Sequence, residues 1–285
     1  MNINVDFQNR LIATFQPLNN RAASRSFPSP AYLANALSKA TPRAGAQSRT
    51  VTPELASHFG TAAVDMWWRS VHSFLISTSL TEASPIWASV SGYYSSHYSV
   101  RGIAHLLGYF YLFNDKKLVH LEPKPNSFSC LFSDSKGTNS GEHKLYWVLV
   151  KQDPVFAADP LFTENKQNTD ESDAAHRNFA NYIDHLCNYP TFRPLDKDTI
   201  INRVDHISKI IFQDVPIPRK SKFPDVEYVQ LIAYHRLVSF RKILDEVLGA
   251  SNRFWTVNRN PSFATGYTNF QLAEATGLPQ PDQRR

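Results

Sequence analysis

At 285 residues, 42% of them hydrophobic and 13% aromatic, the chain has enough apolar surface for one large core or two modest ones, which excludes a disordered protein. Its 30 basic and 25 acidic side chains leave a formal net charge of +5, too weak a bias to name an anionic partner except where basic residues cluster. The two cysteines, Cys130 and Cys187, stand in no CxxC or Cys/His ladder, so a disulfide framework and a zinc site are both excluded.

Residues 1–51 are rich in Ser, Ala, Asn, Pro and Arg and read as an N-terminal arm and linker. A short helix is expected over Pro30–Lys39, where Tyr32, Leu33 and Leu37 share a face, followed by a linker from Ala40 to Val51. Residues 52–114 read as a helical hairpin. Thr52 is a good N-cap with Pro53 in the first helical position, and Leu55, Phe59, Ala63, Met66, Trp67, Phe74 and Leu75 recur at helical spacing, predicting a helix over Pro53–Ile76. A second helix starts near Ser84 with Pro85 in its first turn and stops at Gly108, packing antiparallel on the first. Residues 115–152 read as a β-rich insertion, because Leu118–Leu121, Ser127–Phe132 and Lys144–Val150 are short apolar runs separated by turn formers. Residues 153–171 form a polar, proline-containing loop. Residues 172–250 return to helical spacing, with helices from Ser172–Asp173 to before Pro190, over Lys197–Phe212, and over Asp225–Leu248 with Gly249 as its stop. Residues 251–285 are an aromatic but irregular tail. The expected class is mainly α (α+β): a helical bundle with a small antiparallel β-rich insertion.

No run approaches the ~18 apolar residues of a membrane span, and the first residues lack the basic-then-apolar order of a secretory signal, so a cytoplasmic protein with no membrane contact is expected. Walker A, GxGxxG, GxSxG, HExxH and EF-hand patterns are missing from the sequence, so no cofactor and no metal site is expected.

The segment Gly92–Gly108, GYYSSHYSVRGIAHLLG, carries one recognisable arrangement. Tyr93, Tyr94, His97, Tyr98, Arg101 and Leu106–Leu107 resemble the helix of HEPN-type proteins in which a Tyr-Tyr pair is followed by His or Tyr and then by Arg-Ala-Leu-Leu. The resemblance covers the two helices from Thr52 to Gly108 and implies RNA or nucleotide handling. It further implies a possible homodimer, and a place in a prokaryotic defence or toxin–antitoxin-like assembly. Many HEPN proteins are metal-independent ribonucleases whose Arg and His are separated by four to six intervening residues on one helix. Here Arg69–His72 and Arg203–His206 have two intervening residues, Arg101–His105 three and Arg177–His185 seven, so that signature is not matched.

Two readings of the helix follow. Spaced three or four residues apart, Tyr94, His97, Arg101 and His105 line one stripe. They are either buried hydrogen-bonding groups, with Arg101 paired to a carboxylate such as Asp65 or Glu82, or a site in which a His acts as base and Arg101 steadies a phosphate. The catalytic candidates are therefore Arg101, His97 and His105, with His176, Arg177 and His185 second and His235–Arg236 third. Nucleic-acid contacts are expected from the basic tracts, at Arg219, Lys220, Lys222 and Arg43. A non-catalytic subunit binding RNA, DNA or a protein is the leading expectation, with a metal-independent endoribonuclease as the alternative. A third is a structural subunit docking through Trp67–Trp68 and Phe254–Trp255, since adjacent aromatics on a helix cannot face one core.

Overall fold

The computed structural model describes residues 8–9, 11–12, 15, 30–41, 48–134, 142–163, 177, 197–210, 225–249 and 252–261. The protein is mainly helical with one small antiparallel sheet. In chain order the described elements are α1 (Pro30–Ala40), β1 (Ser48–Val51), α2 (Pro53–Ser79), α3 (Pro85–Leu106), β2 (Tyr109–Leu112), β3 (Lys117–Lys124), β4 (Ser127–Asp134), α4 (Glu142–Gln152), α5 (Pro160–Thr163), α6 (Lys197–Ser208), α7 (Val226–Leu248) and α8 (Arg253–Asn258). None of the described helices is long and apolar enough to cross a membrane. The chain divides into two compact units: Met1–Met66, Val100–Ala158 and Lys242–Arg259 form the first, and Trp67–Ser99, Asp159–Arg241 and Asn260–Arg285 the second.

The first unit holds the sheet, in the order β1-β4-β3-β2 with every pair antiparallel. Alternation assigns its faces: Phe110, Val119, Leu121, Phe128, Cys130 and Phe132 are buried on one side, where Phe59 of α2 meets Phe110 edge-on at 6.3 Å. Burial pushes the Cys130 thiol up to about 12, so it stays protonated. Val51 is the only buried residue of β1; an edge strand this polar carries no alternation, which is why the sequence reads as linker there. The β-rich expectation needs a second correction at Lys144–Val150, which is helix α4. Lys144, Val148 and Gln152 are exposed while Leu145, Tyr146, Trp147, Leu149 and Val150 are buried. Exposure every fourth residue is helical; a strand would have put Lys144, Tyr146 and Val148 on one side. The sheet instead draws its other edge strand from Tyr109–Leu112, whose Tyr111 N–H donates to the Tyr146 hydroxyl at 3.2 Å.

Gly108 makes the corner between α3 and β2. Its φ is +87°, a conformation L side chains avoid, and its carbonyl accepts from the Leu121 N–H at 2.8 Å. A Cβ there would stand 2.6 Å from the Leu121 carbonyl oxygen.

The second unit is helical. The expected antiparallel pairing of α2 and α3 is present and rests on small hydroxyls. Ser70 Oγ donates to the Ser95 carbonyl at 2.8 Å and Ser95 Oγ returns a bond to the Ser70 carbonyl at 2.9 Å. One turn on, Ser70 and Ser99 share a hydrogen bond of 2.7 Å, and at the other end Ser77 Oγ donates to the Ala88 carbonyl at 2.7 Å. Helix α7 lies against the same seam, with Val229 Cγ1 2.8 Å from where a Cβ of Gly92 would be. Its buried Gln230 donates to the Ser77 carbonyl at 2.9 Å and to Thr81 Oγ1 at 2.9 Å, and accepts from Arg203 Nε of α6 at 2.7 Å. Trp67 and Phe240 meet edge-on at 6.1 Å. The buried Arg236 donates from Nε to the Leu161 carbonyl at 2.9 Å, tying α5 to α7.

Gly108→Ala combines backbone strain with a clash against a main-chain oxygen, and is expected to cost about 2 kcal/mol. Equilibrium urea unfolding measures this; a loss below about 0.5 kcal/mol would mean the corner relaxes without strain.

Candidate functional site

The stripe that suggested chemistry in the sequence is divided by the fold. His97 belongs to the second unit, Arg101 and His105 to the first. His97 is 3% exposed. Its ring stacks on Tyr93 at 6.3 Å and 10°, and packs against Tyr94 and Tyr98 at 6.5 and 5.8 Å. His105 is 1% exposed, stacked on Phe110 at 5.2 Å and met edge-on by Tyr146 at 5.6 Å. Its Nδ1 lies 2.8 Å from the Tyr109 carbonyl oxygen. A carbonyl only accepts, so Nδ1 carries the proton and Nε2 the lone pair, buried without a hydrogen bond. Burial, and then the Arg101 charge, push the His105 ring down to about 3, against the opposing pull of the Tyr109 bond. Arg101 sets its guanidinium over the Tyr146 ring at 5.2 Å. A base must come within hydrogen-bonding reach of the hydroxyl it deprotonates, and both histidines are enclosed by aromatic rings.

The other candidates are dispersed. Arg177 lies over the Tyr93 ring at 4.8 Å, while His176 and His185 lie outside the described residues, as do Arg43, Arg219, Lys220 and Lys222. His235 Nε2 faces the Ile210 carbonyl at 3.2 Å, and Arg236 donates to the Leu161 carbonyl. Trp67 is fully buried and Trp68 half-buried, as adjacent helix residues require, but Phe254 and Trp255 are both buried. Asn252 caps α8 and Asp245 accepts from the Trp255 indole at 2.8 Å, so this pair is interior rather than a docking surface. Among the described residues no group of three or more His, Cys, Asp or Glu side chains is gathered for a metal.

Sequence reasoning missed two clusters. Arg203 and His206, one turn apart on α6, meet on Glu227 at 3.2 and 3.0 Å. Burial pushes the Glu227 carboxyl up, but the His206 hydrogen bond and the Arg203 charge together outweigh it and hold the carboxyl below its usual range.

The larger omission is a surface of the second unit. On its part of α3 the residues open at least in part to solvent beyond the first turn are Ser91, Tyr94 and Tyr98, in line with Trp87, which is 58% exposed. The Tyr94 and Tyr98 rings lie 6.0 Å apart. On α2 the exposed residues in this unit are Arg69, His72 and Ile76. The Ser70–Ser95 and Ser77–Ala88 contacts fix how the two antiparallel helices are rotated. At about 100° per residue, that rotation turns Arg69, His72 and Ile76 to the same side of the hairpin as Trp87, Tyr94 and Tyr98. The signal was available as a spacing, because Trp87, Ser91, Tyr94 and Tyr98 recur every three or four residues; what the sequence lacked was which face of α3 the serines bury.

Compared with protein-family models, with curated proteins and with solved structures, the chain has no significant match.

The state of His105 has a measurable consequence. Between its ordinary value of 6.5 and about 3 the unfolded chain takes up a proton that the folded ring refuses, so the stability due to this group is whole above 6.5 and is lost as pH falls. The loss approaches ~1.4 kcal/mol per pH unit. In wild type the His105 ring resonances should not titrate between pH 8 and 5, and His105→Gln should flatten the unfolding free energy between pH 6 and 4. A ring that titrates in the ordinary range would show that it is open to water.

Proposed function

We propose that this is a HEPN-like helical protein that holds single-stranded nucleic acid without cleaving it, as a subunit of a larger assembly. The observation that carries the reading is the single solvent face of the α2–α3 hairpin in the second unit, on which Trp87, Tyr94 and Tyr98 stand with Arg69 and His72. An exposed tryptophan in line with two half-buried tyrosines marks a surface that something else contacts. Every base offers a π-face, so an aromatic row accepts a single strand of any sequence, and a neighbouring cation, Arg69, meets its phosphates. Two members of the row, Tyr94 and Tyr98, belong to the Tyr-Tyr-x-x-His-Tyr pattern that resembles HEPN helices.

The burial of His97 and His105 supports binding rather than cleavage. Neither ring is reachable by a ribose hydroxyl, and His105 already donates to the Tyr109 carbonyl.

Labelled single-stranded RNA and DNA, incubated with the protein in EDTA at low and moderate salt, test both halves of the proposal. Retention that weakens with salt and leaves the strand intact is expected. Tyr94→Ala with Tyr98→Ala removes two stacking surfaces worth ~1–3 kcal/mol each, so affinity should fall at least about tenfold with helical content unchanged. Arg69→Ala should lower the salt slope by about one. Retention indifferent to the tyrosines would remove the aromatic face from the account. Cleavage in EDTA would overturn the non-cleaving half and direct attention to the exposed Arg69–His72 pair.

A further inference from the structure

The first unit holds a pocket of about 300 Å³ that nucleic-acid binding through the second unit leaves unused. Its walls converge through local geometry. Gly108 turns the chain from α3 into β2 within two residues, and Leu106 and Leu107 at the end of α3 and Tyr109 at the start of β2 all line it. The β2–β3 register sets Tyr109 opposite His120, and the two rings stack 4.3 Å apart with planes 13° from parallel. Two residues on, Glu122 projects from the same face of β3 as His120, and Asp153 closes the pocket from just beyond α4. The remaining wall is apolar, from Leu11, Leu121 and Pro123.

Three features narrow the ligand. The volume is at the lower end of ligand sites, enough for one ring or a fused pair rather than an extended chain. One wall is a flat aromatic stack, which favours a flat partner. The charged lining consists of two carboxylates, which only accept hydrogen bonds, and among the described residues neither lysine nor arginine lines the pocket. Lys124 meets Glu122 at 3.1 Å without lining the pocket, but it is about half exposed, so the pair is screened and weak. His120 Nδ1 stands 3.8 Å from the other Glu122 oxygen, and Asp153 Oδ1 accepts the Val155 N–H at 3.0 Å. Both carboxylates are thereby oriented, and a carboxylate accepts at about four positions.

We infer that this pocket binds a small planar ring compound bearing an amine. The ring lies against the Tyr109–His120 stack and the leucines, and the amine donates to Glu122 and Asp153. An isosteric carboxylate would bring its charge against both acids and is excluded.

Tryptamine and indole-3-acetate share a ring and differ in the sign of the side-chain charge, so the two serve as probes of the full-length protein. Titration followed by NMR should show tryptamine moving the Tyr109 and His120 resonances to saturation, with indole-3-acetate binding at least tenfold more weakly. Glu122→Gln with Asp153→Asn should erase that difference while the ring contacts persist. The amide oxygen that Asp153→Asn leaves in place can still accept the Val155 N–H, so the turn is preserved, and an unchanged unfolding midpoint would verify it. Equal binding of the two probes, shifts confined to other residues, or no binding of either would overturn the inference. None of these outcomes depends on nucleic acid being bound elsewhere.

Discussion

The buried serine seam between α2 and α3 is the constraint from which the second unit's surface follows. A hydroxyl inside a helical interface gains by finding an acceptor, since leaving it unpaired costs ~1–3 kcal/mol. Ser70 and Ser95 exchange bonds with one another's main chain, and Ser77 reaches the Ala88 carbonyl. Sliding either helix by one turn, or rotating it by one residue, breaks all of these together. Register and rotation are thus fixed by polar groups rather than by an apolar stripe. Small residues in the seam also let α7 close on Gly92, where Val229 takes the space of a missing side chain. With the small residues turned inward, the large aromatics at positions 87, 94 and 98 have only the outside left. The outward-facing row is in this sense the complement of the seam.

How much of this was legible depended on which physical signal each element used. Helices with termini marked by backbone chemistry were read well. Pro53 and Pro85 begin α2 and α3 as expected, and Gly108 and Gly249 stop their helices at positive φ. The mainly helical class with a small antiparallel sheet was likewise legible. The sheet's membership was not. Val51 alone is buried in β1, so neither alternation nor apolarity announced a strand there, and residues Lys144–Val150 of α4 pack so much of their circumference inward that they resembled a buried strand.

The candidate site was legible as residues and illegible as accessibility. Tyr94, Tyr98 and His105 stand on one stripe of α3, and spacing treats them alike. In the folded chain Tyr94 and Tyr98 are partly open to solvent while His105 is covered by Phe110 and Tyr146, contributed by β2 and α4. Covering groups contributed by other elements are what a single helix cannot reveal, and they decide whether a histidine is a base or a brace.

His105 is a brace. The chain turns at Gly108 with no helical partner for the Tyr109 carbonyl, and an unpaired carbonyl in that interior would be strongly destabilising. The imidazole reaches forward four residues and supplies the missing donor. Its neutrality is what makes the arrangement tolerable, because a charged ring beside Arg101, stacked on Phe110 and met edge-on by Tyr146, would need a counter-charge. The histidine that stood among the catalytic candidates thus stabilises the corner leading from α3 into β2. That corner carries Leu106, Leu107 and Tyr109 into one wall of the pocket. The residue that most suggested ribonuclease chemistry in the sequence is therefore better understood as part of the framework that shapes a ligand site.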